Sequence, residues 1–217
     1  TWDSVYATSN PYTLTQLSGN TEYNIQIKTD CGGGLLSDAG ITTFRTACTA
    51  IATFPWTEGF ESGAWSSTVA PGNVAAPFCW LNINGLNTAS TWRRTTTTAY
   101  IKTGSGAAQF YSGSTSNSTK LSDWLMTPIF SLTGNQQIKF WTKGYSTYTD
   151  SLMVVAFNVS NGEMVATDTV SNYTVIMPRT KILADPYTEY ALNLSSLVGD
   201  YRIGFVVNSN GGGYYLN

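Results

Sequence analysis

The feature that most constrains this chain is a two-residue alternation of apolar and polar side chains, interrupted every few residues by turn-forming clusters. Alternation puts successive side chains on opposite faces of a strand, whereas a helix needs apolar residues three and four positions apart. Tyr23, Ile25 and Ile27 alternate with polar residues, as do the apolar positions of residues 201–207. No stretch keeps the helical spacing over three turns. The sequence therefore predicts an all-β protein.

The composition excludes several kinds of function. The 217 residues include no histidine, and eleven Lys and Arg stand against thirteen Asp and Glu. Without imidazole there is no Ser-His-Asp triad, no Cys-His pair and no His-ligated zinc or haem. The cations form no basic stripe, so nucleic acid is not expected as a partner. No apolar run approaches the roughly 20 residues that span a bilayer.

The first part of the chain carries a turn of the form Leu-x-x-x-Thr-x-Tyr, at Leu17, Thr21 and Tyr23, which leads into an alternating strand. This pattern resembles the second half of a fibronectin type III domain, and Tyr23 fits a tyrosine corner, whose hydroxyl reaches back to the backbone near Leu17. We therefore assign residues 1–47 to the C-terminal part of such a domain. The other half of its sandwich is expected either outside this chain or on a partner chain.

A second pattern follows, made of short aromatic motifs in a fixed order. They are Phe-Pro-Trp-Thr-Glu-Gly-Phe-Glu, Pro-Phe-Cys-Trp, Ser-Thr-Trp, Ser-Asp-Trp-Leu-Met-Thr-Pro, Ile-Lys-Phe-Trp-Thr-Lys, Thr-Glu-Tyr-Ala-Leu-Asn-Leu and Tyr-Arg-Ile-Gly-Phe, beginning at residues 54, 77, 90, 122, 138, 188 and 201. The series resembles the jelly-roll module of cleaved adhesins and bacterial surface proteins, a relative of the MAM domain. The resemblance implies a jelly-roll β-sandwich over residues 48–217, truncated at its last strand, in a secreted bacterial protein or at the bacterial cell surface.

The resemblance also implies a disulfide. In the MAM-like pattern, the cysteine before the Phe-Glu strand pairs with the cysteine before a Trp, which corresponds to Cys48 and Cys79. Such a bond fits an oxidising compartment. Cys31 is then expected to be free or to pair with sequence outside this chain. The alternative is three unpaired thiols, because spacing alone does not fix connectivity.

Structural calcium is a further implication of the resemblance. Relatives hold the ion with the Glu of the Phe-Glu motif, here Glu61, and with an acidic loop after the Cys-Trp motif. In this chain the loop offers Asn82 and Asn84, whose amide oxygens lower the charge that calcium favours. The alternative is that Glu61 caps a strand or accepts backbone hydrogen bonds. Glu58 and Glu61 point to opposite faces of a strand, which argues against a catalytic carboxylate pair.

Exposed aromatic residues are the strongest signal for a ligand site. Trp141 alternates out of phase with Ile138 and Phe140, which predicts that it lies on the polar face, and Tyr145 and Tyr148 follow it. Such a surface can stack on sugar rings or anchor a protein interface. The alternative is that Trp141 packs under a neighbouring loop or against the fibronectin-like domain.

Three sites fit the Asp-Ser/Thr-aliphatic pattern that some gut bacteria O-glycosylate, namely Ser4, Ser151 and Thr169. In a chain so rich in serine and threonine the pattern also arises by chance.

These observations predict a non-catalytic extracellular module that adheres to a host or cell-surface protein or glycan. Two alternatives stay open. The first is a structural spacer or assembly subunit, in which another chain completes the half-sandwich. The second is an accessory domain of a secreted protease or glycosidase, with the active site upstream.

Overall fold

The structure is a computed structural model, and it describes residues 3–61, 73–74, 76–84, 91–111, 123–144, 151–161, 172–184, 186–208 and 213–216. Strands and turns make up these residues, with two 3-10 turns, Thr98–Tyr100 and Val159–Asn161, as the helical elements of the described part. The prediction of an all-β fold is confirmed. No helix within the described ranges has the length and apolar character of a membrane span.

The chain divides into two compact units, Thr1–Thr49 and Ala50–Asn217. The predicted boundary, after residue 47, lies two residues before this division. The first unit contains four short strands, β1 (Glu22–Ile27), β2 (Asp30–Gly32), β3 (Leu35–Leu36) and β4 (Gly40–Arg45).

In the first unit, β1 pairs antiparallel with β4, with Tyr23 opposite Phe44, and β2 pairs with β3 in a small hairpin between them. The rings of Tyr23 and Phe44 stack at a centroid distance of 5.8 Å. The hydroxyl of Tyr23 accepts a hydrogen bond from the Ser18 amide at 2.9 Å. This is the backbone contact that the tyrosine-corner pattern predicts, while the assignment to the fibronectin type III family stays a prediction.

The second unit is a two-sheet β-sandwich. Its strands are β5 (Asn73–Val74), β6 (Leu81–Asn84), β7 (Thr91–Thr95), β8 (Ala107–Tyr111), β9 (Asp123–Met126), β10 (Phe130–Thr133), β11 (Gln137–Gly144), β12 (Ser151–Asn158), β13 (Tyr173–Lys181), β14 (Thr188–Asn193), β15 (Val198–Asn208) and β16 (Gly213–Leu216). In the described part, one sheet has the order β13-β12-β15-β9-β6-β5, with β10 also paired to β15. The other has the order β14-β11-β16-β8-β7.

The chain crosses repeatedly between the two sheets, as expected of a jelly roll. β7 and β8 belong to the five-stranded sheet, β9 and β10 to the other, and β11 returns to the first. β16 lies between β11 and β8 and so joins the two halves of the five-stranded sheet. The predicted jelly-roll sandwich is therefore confirmed.

The core fills the space between the sheets. Phe140 of one sheet and Phe205 of the other meet edge to face at 5.1 Å, and Trp92 packs against Phe110 at 5.9 Å. All four side chains are buried. Because apolar side chains from both sheets interdigitate, the outer face of the five-stranded sheet is left for polar residues and for any ligand.

Candidate functional site

Trp141 lies on the outer face of the five-stranded sheet. It stands in β11 between two buried residues, Phe140 and Thr142, so the alternation of the strand turns it away from the core. Its cross-strand neighbour in β14 is Glu189. The ring is half-buried, and the amino group of Lys102 lies 4.5 Å from its centroid.

Lys102 belongs to a cluster of two lysines and two aromatic rings, which we call the cation–aromatic cluster: Lys102, Trp141, Lys143 and Tyr187. The Lys102 amino group is 6.0 Å from the Tyr187 ring centroid, and the Lys143 amino group is 5.6 Å from the same centroid. Each cation–π contact of this kind is worth about 0.5–2 kcal/mol, more where water is excluded. The cluster thus presents positive charge over aromatic faces on one side of the sandwich.

An open cleft of about 430 Å³ adjoins this cluster. Short hydroxyl side chains dominate its lining, together with one aliphatic and one cationic side chain: Thr96, Thr98, Ile101, Lys102, Thr103, Gly104 and Ser105. Lys102 belongs to both the cleft and the cluster, so a ligand in the cleft would approach the aromatic pair through this residue.

The loop that forms the cleft, residues 101–105, is held by Glu61. A carboxylate oxygen of Glu61 accepts hydrogen bonds from the backbone amide of Ser105, at 2.8 Å, and from its hydroxyl. Gly104 has a φ of +76°, and a Cβ at this position would collide with the same carboxylate. Glycine is therefore required here both for the backbone angle and for the close approach. We call this arrangement the Glu61 latch.

Arg94 of β7 donates hydrogen bonds to the backbone of both segments that the Glu61 latch joins. Its Nε donates to the Phe60 carbonyl at 2.6 Å, and one terminal nitrogen donates to the Glu61 carbonyl at 3.0 Å and to the Ser105 carbonyl at 3.4 Å. Gly106 leaves the room for this, since a Cβ there would meet both the Phe60 carbonyl and the guanidinium. The segment 60–61 and the loop 101–105 are thus tied to the same strand.

Two titratable groups of this region have shifted pKa values. Hydrogen bonds from the Ser105 hydroxyl and amide lower the pKa of Glu61 below its ordinary value of 4.5, so the carboxylate is ionised at neutral pH. Burial raises the pKa of Tyr187 to about 12. The phenol is therefore neutral at pH 7, and since its hydroxyl has no hydrogen-bond partner among the described residues, its contacts with Lys102 and Lys143 are made by the ring.

Of the predicted ligand residues, Trp141 is on the outer face, and Tyr145 and Tyr148 lie outside the described residues. Contact of Trp141 with a neighbouring loop is what the alternative interpretation expects. A ligand-binding role for all three residues stays a prediction. The two residues that the sequence did not single out are Lys102 and Tyr187, which the fold brings to Trp141 from distant segments.

The predicted calcium ligands are engaged in separate contacts. Glu61 is bound to Ser105, whereas the Asn82 amide donates to the Trp92 carbonyl at 2.7 Å and accepts from the Thr91 hydroxyl at 3.3 Å. Asn82 and Asn84 are both buried. Within the described ranges, no group of three or more Asp, Glu, Cys or His is placed to hold a metal ion. These contacts do not assemble the three residues into one ligand set, and the calcium site stays a prediction.

The cysteines and the glycosylation sites can be placed in part. Cys48 and Cys79 are disulfide-bonded, consistent with the pairing that the resemblance implies, while Cys31 is an exposed free thiol. Ser4 is exposed, and Ser151 is half-buried at the start of β12. Thr169 lies outside the described residues. The three O-glycosylation sites stay predictions.

Comparison with known proteins supports the fold. No protein-family model matches the chain, and no curated protein matches it. A cleaved adhesin domain of Lys-gingipain from Porphyromonas gingivalis has a similar structure, with a TM-score of 0.53 at 15% identity over 74% of this chain and 92% of that domain. A second cleaved adhesin domain of Lys-gingipain gives a TM-score of 0.51 at 14% identity, over 75% and 94% of the two chains.

A xylan-binding domain of Paenibacillus barcinonensis matches more weakly, with a TM-score of 0.45 at 12% identity over 73% of this chain and 86% of that one. A likeness at that score carries no conclusion. At 14–15% identity, the similarity to the two adhesin domains is a similarity of fold. The sandwich unit therefore has the β-sandwich fold that cleaved adhesin domains share.

Proposed function

We propose that this chain is a non-catalytic binding module that takes a glycan at the cation–aromatic cluster and the adjoining cleft. The observation that carries the proposal is the double position of Lys102, which lines the cleft and also covers the Trp141 ring. Hydroxyl groups in the cleft match the hydrogen-bonding needs of a sugar, and aromatic faces match its apolar side. An extended protein interface would need a broader and flatter apolar centre.

The chemistry of the described residues favours binding over catalysis. The chain has no histidine to act as a general base. The carboxylate of Glu61 accepts hydrogen bonds from Ser105, and that of Glu58 accepts one from the Phe60 amide at 2.6 Å. Both groups thus hold backbone in place, which is a structural role.

An extracellular setting fits the same proposal. The bonded state of Cys48 and Cys79 is typical of an oxidising compartment, such as the outside of a bacterial cell. A surface rich in serine, threonine and asparagine keeps a chain with only 11% charged residues in solution. The fold shared with cleaved adhesin domains supports display at a cell surface or secretion from the cell.

A glycan array and a pull-down from host extracellular matrix test this proposal on the whole chain. We expect glycan ligands, and we expect Trp141→Ala to weaken their binding at least about tenfold, as for an aromatic anchor at the centre of an interface. Tyr6→Ala is the matched control, because Tyr6 is 80% exposed and belongs to the first unit. An array without ligands, or equal binding by Trp141→Ala and wild type, would contradict the proposal.

A second candidate, assembly through the first unit, rests on a separate observation. None of the described residues 3–49 is buried, and large apolar side chains stand open to solvent in its two hairpins: Ile27, Leu35, Leu36 and Ile41. Exposed apolar side chains of this number mark a surface that another chain can cover. Native mass spectrometry tests the idea, since assembly predicts an oligomer that Ile27→Ser combined with Ile41→Ser dissociates, and a monomer at all concentrations contradicts it.

Calcium is proposed only on the resemblance to cleaved adhesins. Glu61 would then give up its bonds to Ser105 in order to bind the ion, with further oxygens supplied from outside the described residues. A rise in the melting temperature of the wild type with calcium, absent in Glu61→Gln, would support the site. The same melting temperature in calcium and in chelator would contradict the calcium site.

A further inference from the structure

We infer that two copies of this chain dimerise by antiparallel pairing of β14, the edge strand of the five-stranded sheet, and this dimer does not depend on the proposed glycan site. β14 pairs with β11 in continuous register over residues 188–193. On its other side, β14 has no paired strand within the described part of the chain. The backbone groups on that side can therefore accept an added strand.

The other edge strands of the described sandwich carry features that discourage such pairing, and β14 does not. β13 contains Pro178, which has no amide hydrogen to donate, next to Arg179, and its pairing with β12 shifts register twice. β7 carries two adjacent arginines, and β5 is only two residues long. β14 contains no proline, lysine or arginine, and its charged residue is Glu189. Of these four described edges, β14 is the one without the usual protection against pairing with another chain.

The side chains of β14 show that apolar surface remains at this edge. Tyr190 and Leu192 pack against the core, yet both are only half-buried, whereas Phe140 on the neighbouring strand is 5% exposed. The Tyr190 ring stacks on Phe140 at a centroid distance of 5.4 Å, which fixes it at the margin of the core. A strand added at this edge covers both half-buried side chains, and the burial of apolar surface favours the pairing.

The sequence of β14 is complementary to itself when two copies run antiparallel about Ala191. In this register the two Ala191 side chains meet at the two-fold axis on the outer face, where their small size avoids a clash. Glu189 of each copy lies opposite Asn193 of the other, so no two carboxylates face each other. On the inner face, Tyr190 of each copy lies opposite Leu192 of the other. A second copy is therefore the occupant that this edge fits, because the two-fold axis forms each of these pairs twice.

The dimer also places two copies of the proposed ligand surface side by side. Because the axis is perpendicular to the sheet, both Trp141 positions lie on the same outer face. Trp141 lies opposite Glu189, two residues from the axis along the strand. A strand spacing of about 4.8 Å and a rise of about 3.4 Å per residue separate the two Trp141 positions by about 20 Å. Two sites at this separation can bind one long ligand together, and this consequence alone rests on the proposed function.

Disulfide trapping on the whole chain tests the pairing and its register. In a Cys31→Ser background, Ala191→Cys places two thiols at the axis, with a Cβ separation of about 4.5–5.5 Å that is close to what a disulfide needs. Asn193→Cys is the matched control, because it is an exposed position of the same strand and face, yet its two copies are about 14 Å apart. We expect Ala191→Cys to form a covalent dimer at least about tenfold faster, since the control thiols cannot reach each other within the dimer. Equal rates would contradict the register.

A charge at the axis tests the dimer without a cross-link. We expect the wild type to dimerise with a dissociation constant of about 10–100 μM, as interfaces of small area do, measured by sedimentation and native mass spectrometry. Ala191→Glu sets two carboxylates against each other in the dimer, whereas in the monomer the new side chain lies opposite Lys139 of β11. It should raise the dissociation constant at least about tenfold and leave the melting temperature of the dilute protein unchanged. Thr174→Glu, which adds the same charge to β13, should leave the dissociation constant unchanged.

Three outcomes would overturn the inference. A wild type that stays monomeric up to about 0.5 mM removes the dimer and leaves the proposed glycan binding standing. A dimer that Ala191→Glu leaves intact does not form through β14, and its loss in Ile27→Ser combined with Ile41→Ser would assign it to the first unit. Equal weakening by Ala191→Glu and Thr174→Glu would show that the added charge, and not its position at the axis, disrupts the dimer.

Discussion

The two units of this chain are built from the same alternating strands, yet they differ completely in burial. β1 of the first unit alternates half-buried and exposed side chains and ends on the exposed Ile27. β12 of the sandwich is buried on both faces over six consecutive residues, 152–157. Unlike β1, β12 has paired strands on both sides, β13 and β15, and its inward face packs against a second sheet.

The comparison shows what each level of structure contributes. Local alternation is enough to form the β1–β4 ladder. Two polar contacts join its strands, an ion pair between Arg45 and Glu22 and a hydrogen bond from Thr43 to Asn24. A two-stranded ribbon is marginally stable in water, however, because it has too little apolar surface to bury. The second sheet, rather than the strand pattern, supplies the stability of the sandwich.

The largest expected difference between the two units is in hydrogen exchange. Amides of β12 and β15 should exchange only on global unfolding, whereas amides of β1 and β4 should open locally. With a global free energy of at least about 5 kcal/mol, this predicts exchange at least about a thousandfold slower in the sandwich. Exchange mass spectrometry on the whole chain measures it. Equal protection in the two units would break the comparison.

Core substitutions should repeat this contrast. Phe205→Ala removes a buried ring that meets Phe140 edge to face, and it should lower the free energy of unfolding by about 3–5 kcal/mol. Phe44→Ala removes a half-buried ring that stacks on Tyr23, and it should change the main transition by about 1 kcal/mol or less. Urea denaturation measures both changes in the free energy of unfolding. Equal losses in the two variants would show that the first unit unfolds together with the sandwich.

A pair of tyrosines offers a smaller and sharper test. Tyr23→Phe removes the acceptor of the Ser18 amide, so exchange of that amide should rise about fivefold, corresponding to about 1 kcal/mol.

Tyr187→Phe removes a hydroxyl without a partner among the described residues and keeps the ring beneath Lys102 and Lys143. It should leave stability unchanged or raise it by up to about 1 kcal/mol. A loss of stability in Tyr187→Phe would reveal a hydrogen bond to that hydroxyl.

The smallest effect concerns the Glu61 latch and pH. Because the pKa of Glu61 is lowered in the folded chain, the latch is fully formed above the ordinary value of 4.5 and is lost as the pH falls through the lowered value. The NMR shift of the Ser105 amide should therefore change with pH, with a midpoint below 4.5. Glu61→Gln should abolish the change, and a midpoint at or above 4.5 would contradict the latch.

Local sequence pattern was enough to predict the strands and the outward position of Trp141, because alternation is a property of neighbouring residues. The same reasoning could not find Lys102, since the loop that carries it reaches Trp141 only through the placement of β8 and β16 beside β11. Glycines at 104 and 106 marked a turn in the sequence. They did not reveal that Glu61 and Arg94 fill the space that the two glycines leave.

Asn82 and Asn84 show a second limit of sequence pattern, which did not predict their burial. The resemblance implies a calcium-ligand role for Asn82 and Asn84, and sequence alone gave no reason to expect them buried. The Asn82 amide donates to the Trp92 carbonyl of β7, a strand of the other sheet, and sequence spacing does not encode that contact. The predicted glycosylation of Ser4 and Ser151 likewise depends on an enzyme and not on the fold.

The central claim is that the sandwich, at the cleft and the cation–aromatic cluster, binds the ligand. A titration of the isotope-labelled whole chain with a glycan that binds on the array, followed by amide and tryptophan indole NMR shifts, tests it most directly. The account predicts that the largest shifts fall on residues 96–105, on the Trp141 indole and on Tyr187, and that β1 and β4 stay unchanged. Shifts concentrated on the first unit, or none at ligand concentrations of tens of millimolar, would contradict it.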